Sequence, residues 1–133
     1  MSQENVELIN RGHDAFNRRD FDAFLALHDP AVEFLPYEVS VQGGDPYRGH
    51  DGVRSWWRSS LEVLPDLRVE SYEVRDLGDR VFVRGRLSGQ GAKSGAAFER
   101  ALWQTLECRD GKIVWWRAFE SEAEALAAVG LAE

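Results

Sequence analysis

His13 lies on the apolar stripe Val6, Ile9, His13, Phe16 of a predicted N-terminal helix, where an imidazole is placed to give or take a proton inside an apolar enclosure. The same placement fits a half-buried histidine satisfied by one neighbouring hydrogen bond. Glu120 closes the last predicted strand in phase with Val114, Trp116 and Ala118, which makes it a second candidate acid or base, at a pocket mouth. It also reads as a solvated acid just ahead of a helix cap. Arg100 alternates with Phe98, Leu102, Gln104 and Leu106, so it is the candidate cation for an interior face, directed at an anionic ligand group or held in a structural ion pair.

Other chemistries lack their residues. Asp14, His13 and Ser55 or Ser59 can be arranged as a nucleophilic set only on paper, because no nucleophile elbow is present. His13, His28 and His50 have no metal-ligand spacing, and the glycines of GGDPYRGHDG lack the strand before and helix after that a dinucleotide loop needs. No metal and no cofactor is therefore expected. The lone Cys108 cannot form an internal disulfide. A net charge of -7 with scattered acids argues against a nucleic-acid partner. No apolar run approaches the ~20 residues of a membrane span, and MSQENVELI lacks the regions of a signal peptide. A soluble, cytoplasmic protein with small-molecule and protein partners is expected.

The elements that must position these groups follow from periodicity and punctuation. Helix one runs from a Ser2 cap to Asn17-Arg18-Arg19; Asp20 caps a two-turn second helix that ends at Asp29-Pro30. Residues 31–36 read as a strand, and a loop rich in glycine and proline follows. A third helix begins near His50 or Asp51 and stops at Pro65. From Leu67 the period shifts toward 2, giving strands over 67–76, 80–88, 96–108 and 112–119. Leu77-Gly78-Asp79 and Asp110-Gly111 suit tight hairpins, and SGQGAKSG suits a longer one. Ser121 and Glu124 stand in capping-box spacing before an Ala-rich helix stopped by Gly130. The order α-α-β-α-β-β-β-β-α over residues 1–133 implies a single α+β domain, with an antiparallel meander and three helices covering one sheet face. On strand 80–88, Val81, Val83 and Leu87 face one way and Phe82, Arg84 and Arg86 the other; the cost of burying unpaired guanidinium groups favours valines inward.

This order, with "AFNRRDFDAFLALHDPAVEF", "YRGHDGVRSWW", "RDGKIVWWRAF" and "EALAAVGL", resembles the nuclear transport factor 2-like superfamily, and within it the SnoaL-like group named for a polyketide cyclase. The resemblance implies a conical, cystatin-like half-barrel in which a curved sheet wraps around three helices, with a short C-terminal helix. It also implies an apolar pocket for a small hydrophobic molecule and a homodimer through the outer sheet face. Isomerase, cyclase or dehydratase chemistry by proton transfer is the activity it suggests, beside non-catalytic binding or dimerisation.

The superfamily's familiar carboxylates are absent at the matching positions. Phe34 stands where a ketosteroid isomerase carries its base, Gly12 where it carries a tyrosine, and Gln104 where it carries a donor acid. Gln104 retains the ability to donate one neutral hydrogen bond to a ligand oxygen. Ala118 takes the place of the cyclases' aspartate, and no strand interior holds the aspartates of an epoxide hydrolase site.

Five tryptophans bring more aromatic surface than a core of this size obviously needs. The resemblance places Trp57 of the Trp56-Trp57 pair at a pocket-lining position, with Trp56 continuing the Val53 stripe into the core. On the last strand the period of 2 sends Trp116 inward and Trp115 toward a dimer partner. Trp57 and Trp116 are thus expected to share one cavity.

Overall fold

The computed structural model describes residues 2–78 and 80–130; the Ser2 side chain and Asp79, expected in a helix cap and a turn, lie outside the described residues. Its elements are α1 (Ser2–Arg18), α2 (Phe21–Ala26), β1 (His28–Leu35), α3 (Tyr37–Gln42), β2 (Tyr47–Arg48), α4 (Gly49–Val63), β3 (Arg68–Asp76), β4 (Val81–Gln90), β5 (Ala97–Arg109), β6 (Lys112–Phe119) and α5 (Glu122–Ala128). The strands form one curved, unclosed sheet in the order β2-β1-β6-β5-β4-β3. The expected meander β3 to β6 is present, each neighbour antiparallel. β1 adds to the β6 edge in parallel, so the sheet is mixed rather than wholly antiparallel.

Helix α1 exists because Leu8, Ile9, Ala15 and Phe16 recur at helical spacing and are all buried. It ends where Arg19 turns to φ 61° and its guanidinium donates to the carbonyls of Phe16, Pro65 and Leu67. Just before that stop, Asn17 exchanges two hydrogen bonds with the Val69 backbone, at 2.8 and 2.9 Å, which fixes α1 across β3. Asp20 caps α2 through Ala23 N, as its type and place suggest.

Three features depart from the expected boundaries. β1 begins at His28 and includes Pro30, which the sheet tolerates because pairing with β6 skips from His28 to Glu33. Residues 37–42, expected as loop, form α3, held by Ser40 Oγ donating to the Ala118 carbonyl. Glycines and prolines flank this turn rather than occupy it. β2 is a two-residue addition to β1.

The sheet has two faces with different covers. Val81 and Val83 pack inward among the helices, as the cost of burying cations requires. Arg84 and Arg86 point outward into ion pairs with Glu73, Glu70 and Glu99. Helix α5 folds back over that outer face, where Ala125 meets Phe82 and Phe119. Thr105 there is fully buried and donates to the Ala125 carbonyl at 2.9 Å. Ser121 caps α5 through Glu124 N and Gly130 ends it at φ 89°, both as expected.

No described helix is long and apolar enough to cross a membrane.

Candidate functional site

Between the inner face of β4 to β6 and helices α1, α2 and α4 lies a cavity of about 110 Å³. Its wall is mostly carbon, from Ile9, Phe16, Phe24, Trp56, Leu102 and Trp116 among others. Each strand delivers alternate residues to it. On β5 these are Leu102, Gln104 and Leu106, and on β6 Trp116 and Ala118, in the phase the sequence predicts. Ile113 also reaches the wall, because Val114 is an extra residue in the pairing of β6 with β5 and the alternation restarts there.

The polar side chains in this wall are those of His13, His28, Tyr37, Glu38, Ser60 and Gln104. His13 projects from α1, and its Nε2 lies 3.4 Å from Gln104 Oε1 on β5. With that oxygen as acceptor, Nε2 carries the proton and Nδ1 holds a lone pair. Nδ1 is buried without a hydrogen-bond partner among the described residues. Burial lowers the His13 pKa from 6.5 to about 4, and the Gln104 hydrogen bond only partly opposes this. The imidazole is therefore neutral near pH 7.

His28 is the other histidine of the wall. It is 2% exposed and lines the same cavity from the start of β1, with Nδ1 donating to the Phe24 carbonyl at 2.8 Å. Burial lowers its pKa to about 4 as well; the Phe24 carbonyl opposes the shift and the charge of His50 adds to it.

Of the residues the sequence suggests for the site, His13, Phe16, Gln104, Trp116 and Ala118 are brought together in the wall. Four others are not. Phe34 is buried behind it, stacked on Trp116 with ring centroids 4.8 Å apart. Trp57 and Trp56 exchange their expected places: Trp56 lines the cavity and stands edge-on to Trp116 at 5.7 Å, while Trp57 packs on Phe21 and Phe24 at 5.0 and 5.1 Å. Phe21 and Phe24 of α2 receive the Trp57 ring, while Trp56, which Phe24 also meets at 6.0 Å, lines the cavity with Ser60. Arg100 is exposed beyond the wall, its guanidinium 4.3 Å above the ring of Tyr37. Glu120 is exposed in the bend after β6 and does not reach the cavity.

His28, Trp56 and Tyr37 are site residues that sequence reasoning passes over. His28 precedes Asp29-Pro30 and reads as the end of a helix, whereas Tyr37 lies in the unexpected α3. The one usable signal is at Trp56, which shares an i, i+4 face with Ser60.

Residues 9–116 match the family defined by the SnoaL-like domain. The chain belongs to that family. None of the curated protein sequences matches this SnoaL-like domain. Among solved structures it is similar to a nuclear transport factor 2-like protein of unknown function from Burkholderia pseudomallei K96243, 22% identical, with 96% of this chain and 98% of that one covered and a TM-score of 0.78. It is similar to TerC, co-crystallised with polyporic acid, at 23% identity, 96% and 99% coverage and a TM-score of 0.77. A candidate SnoaL-like polyketide cyclase from Jannaschia sp. CCS1 is 20% identical, with 100% and 96% coverage and a TM-score of 0.78. At these identities the likeness establishes the shared fold.

Among the described residues no group of three or more histidine, cysteine or acidic side chains is arranged to hold a metal ion. Cys108 is half-buried, and burial first, then Asp76 and Glu107, raises its thiol pKa to about 11, so it is a poor nucleophile.

Proposed function

We propose that this SnoaL-like domain encloses a small, largely apolar molecule bearing at least one oxygen and moves a proton on it, with His13 as acid or base and Gln104 as hydrogen-bond donor. The His13–Gln104 contact inside a mostly apolar cavity carries this reading. No hydrogen bond reaches the Gln104 amide nitrogen among the described residues, so that donor is free to meet a ligand oxygen. A neutral imidazole has one lone pair to accept a proton. Its lowered pKa makes the protonated form a ready donor, which suits reactions that return the proton to the same molecule, such as isomerisation or cyclisation. This assignment needs no cofactor.

The experiment is deuterium exchange. Compounds that quench the cavity tryptophans are incubated with the protein in D2O, and label at carbons next to a carbonyl is read by mass spectrometry. Catalysed exchange that disappears in His13→Ala is expected. Binding without exchange in the native chain would support the second reading, a non-catalytic binding domain. The carbon side chains Phe34 and Ala118, standing where relatives carry carboxylates, favour that reading.

We also infer that a second copy of the chain covers the part of the outer sheet face that α5 leaves free. Trp115 is only partly buried there, and the Arg80 guanidinium lies 4.3 Å over its ring. Sedimentation equilibrium tests it: a dimer that Trp115→Glu dissociates is expected, and a native monomer at micromolar concentration overturns it.

A further inference from the structure

We propose that His28 is a ligand-binding residue of this cavity, an acceptor that selects molecules carrying a hydroxyl or N–H donor remote from the oxygen met by Gln104. The proposal rests on the binding reading above and adds a second recognition point to it.

Three observations support it. First, the ring tautomer is set from behind: Nδ1 lies 2.8 Å from the Phe24 carbonyl, which only accepts, so Nδ1 carries the proton and Nε2 is left with a lone pair. Second, the ring is fixed in place. It packs on Phe24 with centroids 4.6 Å apart, and the His28 carbonyl accepts from His50 Nε2 at 2.9 Å, which ties the strand start to α4. Third, no hydrogen bond reaches Nε2 among the described residues, although the side chain is 2% exposed and borders the cavity. Nε2 is not among the fully buried side-chain atoms that lack a partner, so it is open to the cavity, where a ligand donor can meet it.

The register separates this acceptor from the other polar pair. His28 stands beside Ile113 and Gln104 beside Ala118, five positions apart along β6, roughly 15 Å of extended backbone. The two groups therefore address a bound molecule from different ends. Gln104 offers a donor and His28 an acceptor, so the preferred ligand carries an acceptor oxygen at one end and a donor at the other across an apolar body.

Three probes of matched shape test this by tryptophan fluorescence titration: acetophenone, 4-methoxyacetophenone and 4-hydroxyacetophenone. The hydroxyl compound should bind about five- to tenfold tighter than the methoxy compound. In His28→Asn the amide N–H can still donate to the Phe24 carbonyl, while the amide oxygen on the shorter side chain does not reach the place of Nε2, so the variant should erase that advantage. Because a substitution in the core can impair folding, the native chain gives a second readout. The 15N shift of His28 Nε2 should mark an unprotonated nitrogen in the free protein and move on adding the hydroxyl compound but not the methoxy one. If acetophenone binds and the hydroxyl brings no advantage, or His28→Asn retains it, the His28 assignment is overturned alone. If none of the three binds, the ligand reading of the cavity falls with it.

Discussion

His13 Nε2 lies 3.4 Å from Gln104 Oε1, so the first helix and the strand β5 meet through two polar side chains 91 residues apart in a mostly apolar wall. This contact is the one influence that raises the His13 pKa against its burial. Gln104→Leu should therefore lower that pKa below its value of about 4. Histidine ring shifts followed by NMR titration check it, and an unchanged or raised pKa would show that the pair is not coupled.

Acid should destabilise the fold before the carboxylates titrate. His13 and His28 are held neutral with pKa values of about 4, whereas their ordinary value is 6.5, so between these limits the unfolded chain binds more protons. Stability is full above pH 6.5 and falls as pH drops toward 4. The loss is on the order of 3 kcal/mol per histidine across the whole window. Urea midpoints at several pH values from 5 to 7.5 measure the slope, which His13→Gln should reduce by about half.

Trp56 and Trp57 should differ in what their loss does. Trp56→Leu opens the cavity beside Trp116 and Phe16, and should change the affinity of aromatic probes severalfold. Trp57→Leu removes a ring packed among Phe16, Phe21 and Phe24; it should cost about 3 kcal/mol of stability with probe affinity nearly unchanged. Paired thermal melts and fluorescence titrations separate the outcomes.

Gly85 on β4 has no room for a methyl group. A Cβ there would stand 2.0 Å from the Glu70 carbonyl oxygen and 2.9 Å from Ser71 Cα, next to the shift in β3 pairing between Ser71 and Glu73. Gly85→Ala must push strand backbone aside and should cost about 3 kcal/mol, read as a fall in the denaturation midpoint. A variant as stable as the native chain would mean that β3 yields freely at this shift.

The Thr105 hydroxyl is fully buried and its acceptor is the Ala125 carbonyl of α5. Thr105→Val keeps the shape and leaves that carbonyl without its donor, so about 1–3 kcal/mol should be lost. Faster hydrogen exchange confined to 122–128 would show that the loss is the docking of α5.

The sequence by itself determined the α+β class, the four-strand meander and the inward phase of β5 and β6. A period of 2 leaves Leu102, Gln104, Leu106, Trp116 and Ala118 no choice once one face is buried. It also placed His13 and Phe16 on the buried stripe of α1, since helical spacing fixes a face. Only the tertiary structure decided which tryptophan of α4 lines the cavity. Adjacent helix residues point about 100° apart, so the choice belongs to α2, whose Phe21 and Phe24 take the side that Trp57 occupies. Likewise Arg100 keeps the interior phase yet lies beyond the cavity, because alternation sets the face and not the depth along a strand. His28 became part of the site only when β1 paired in parallel with β6, a long-range hydrogen-bonded contact that no local pattern around Asp29-Pro30 encodes.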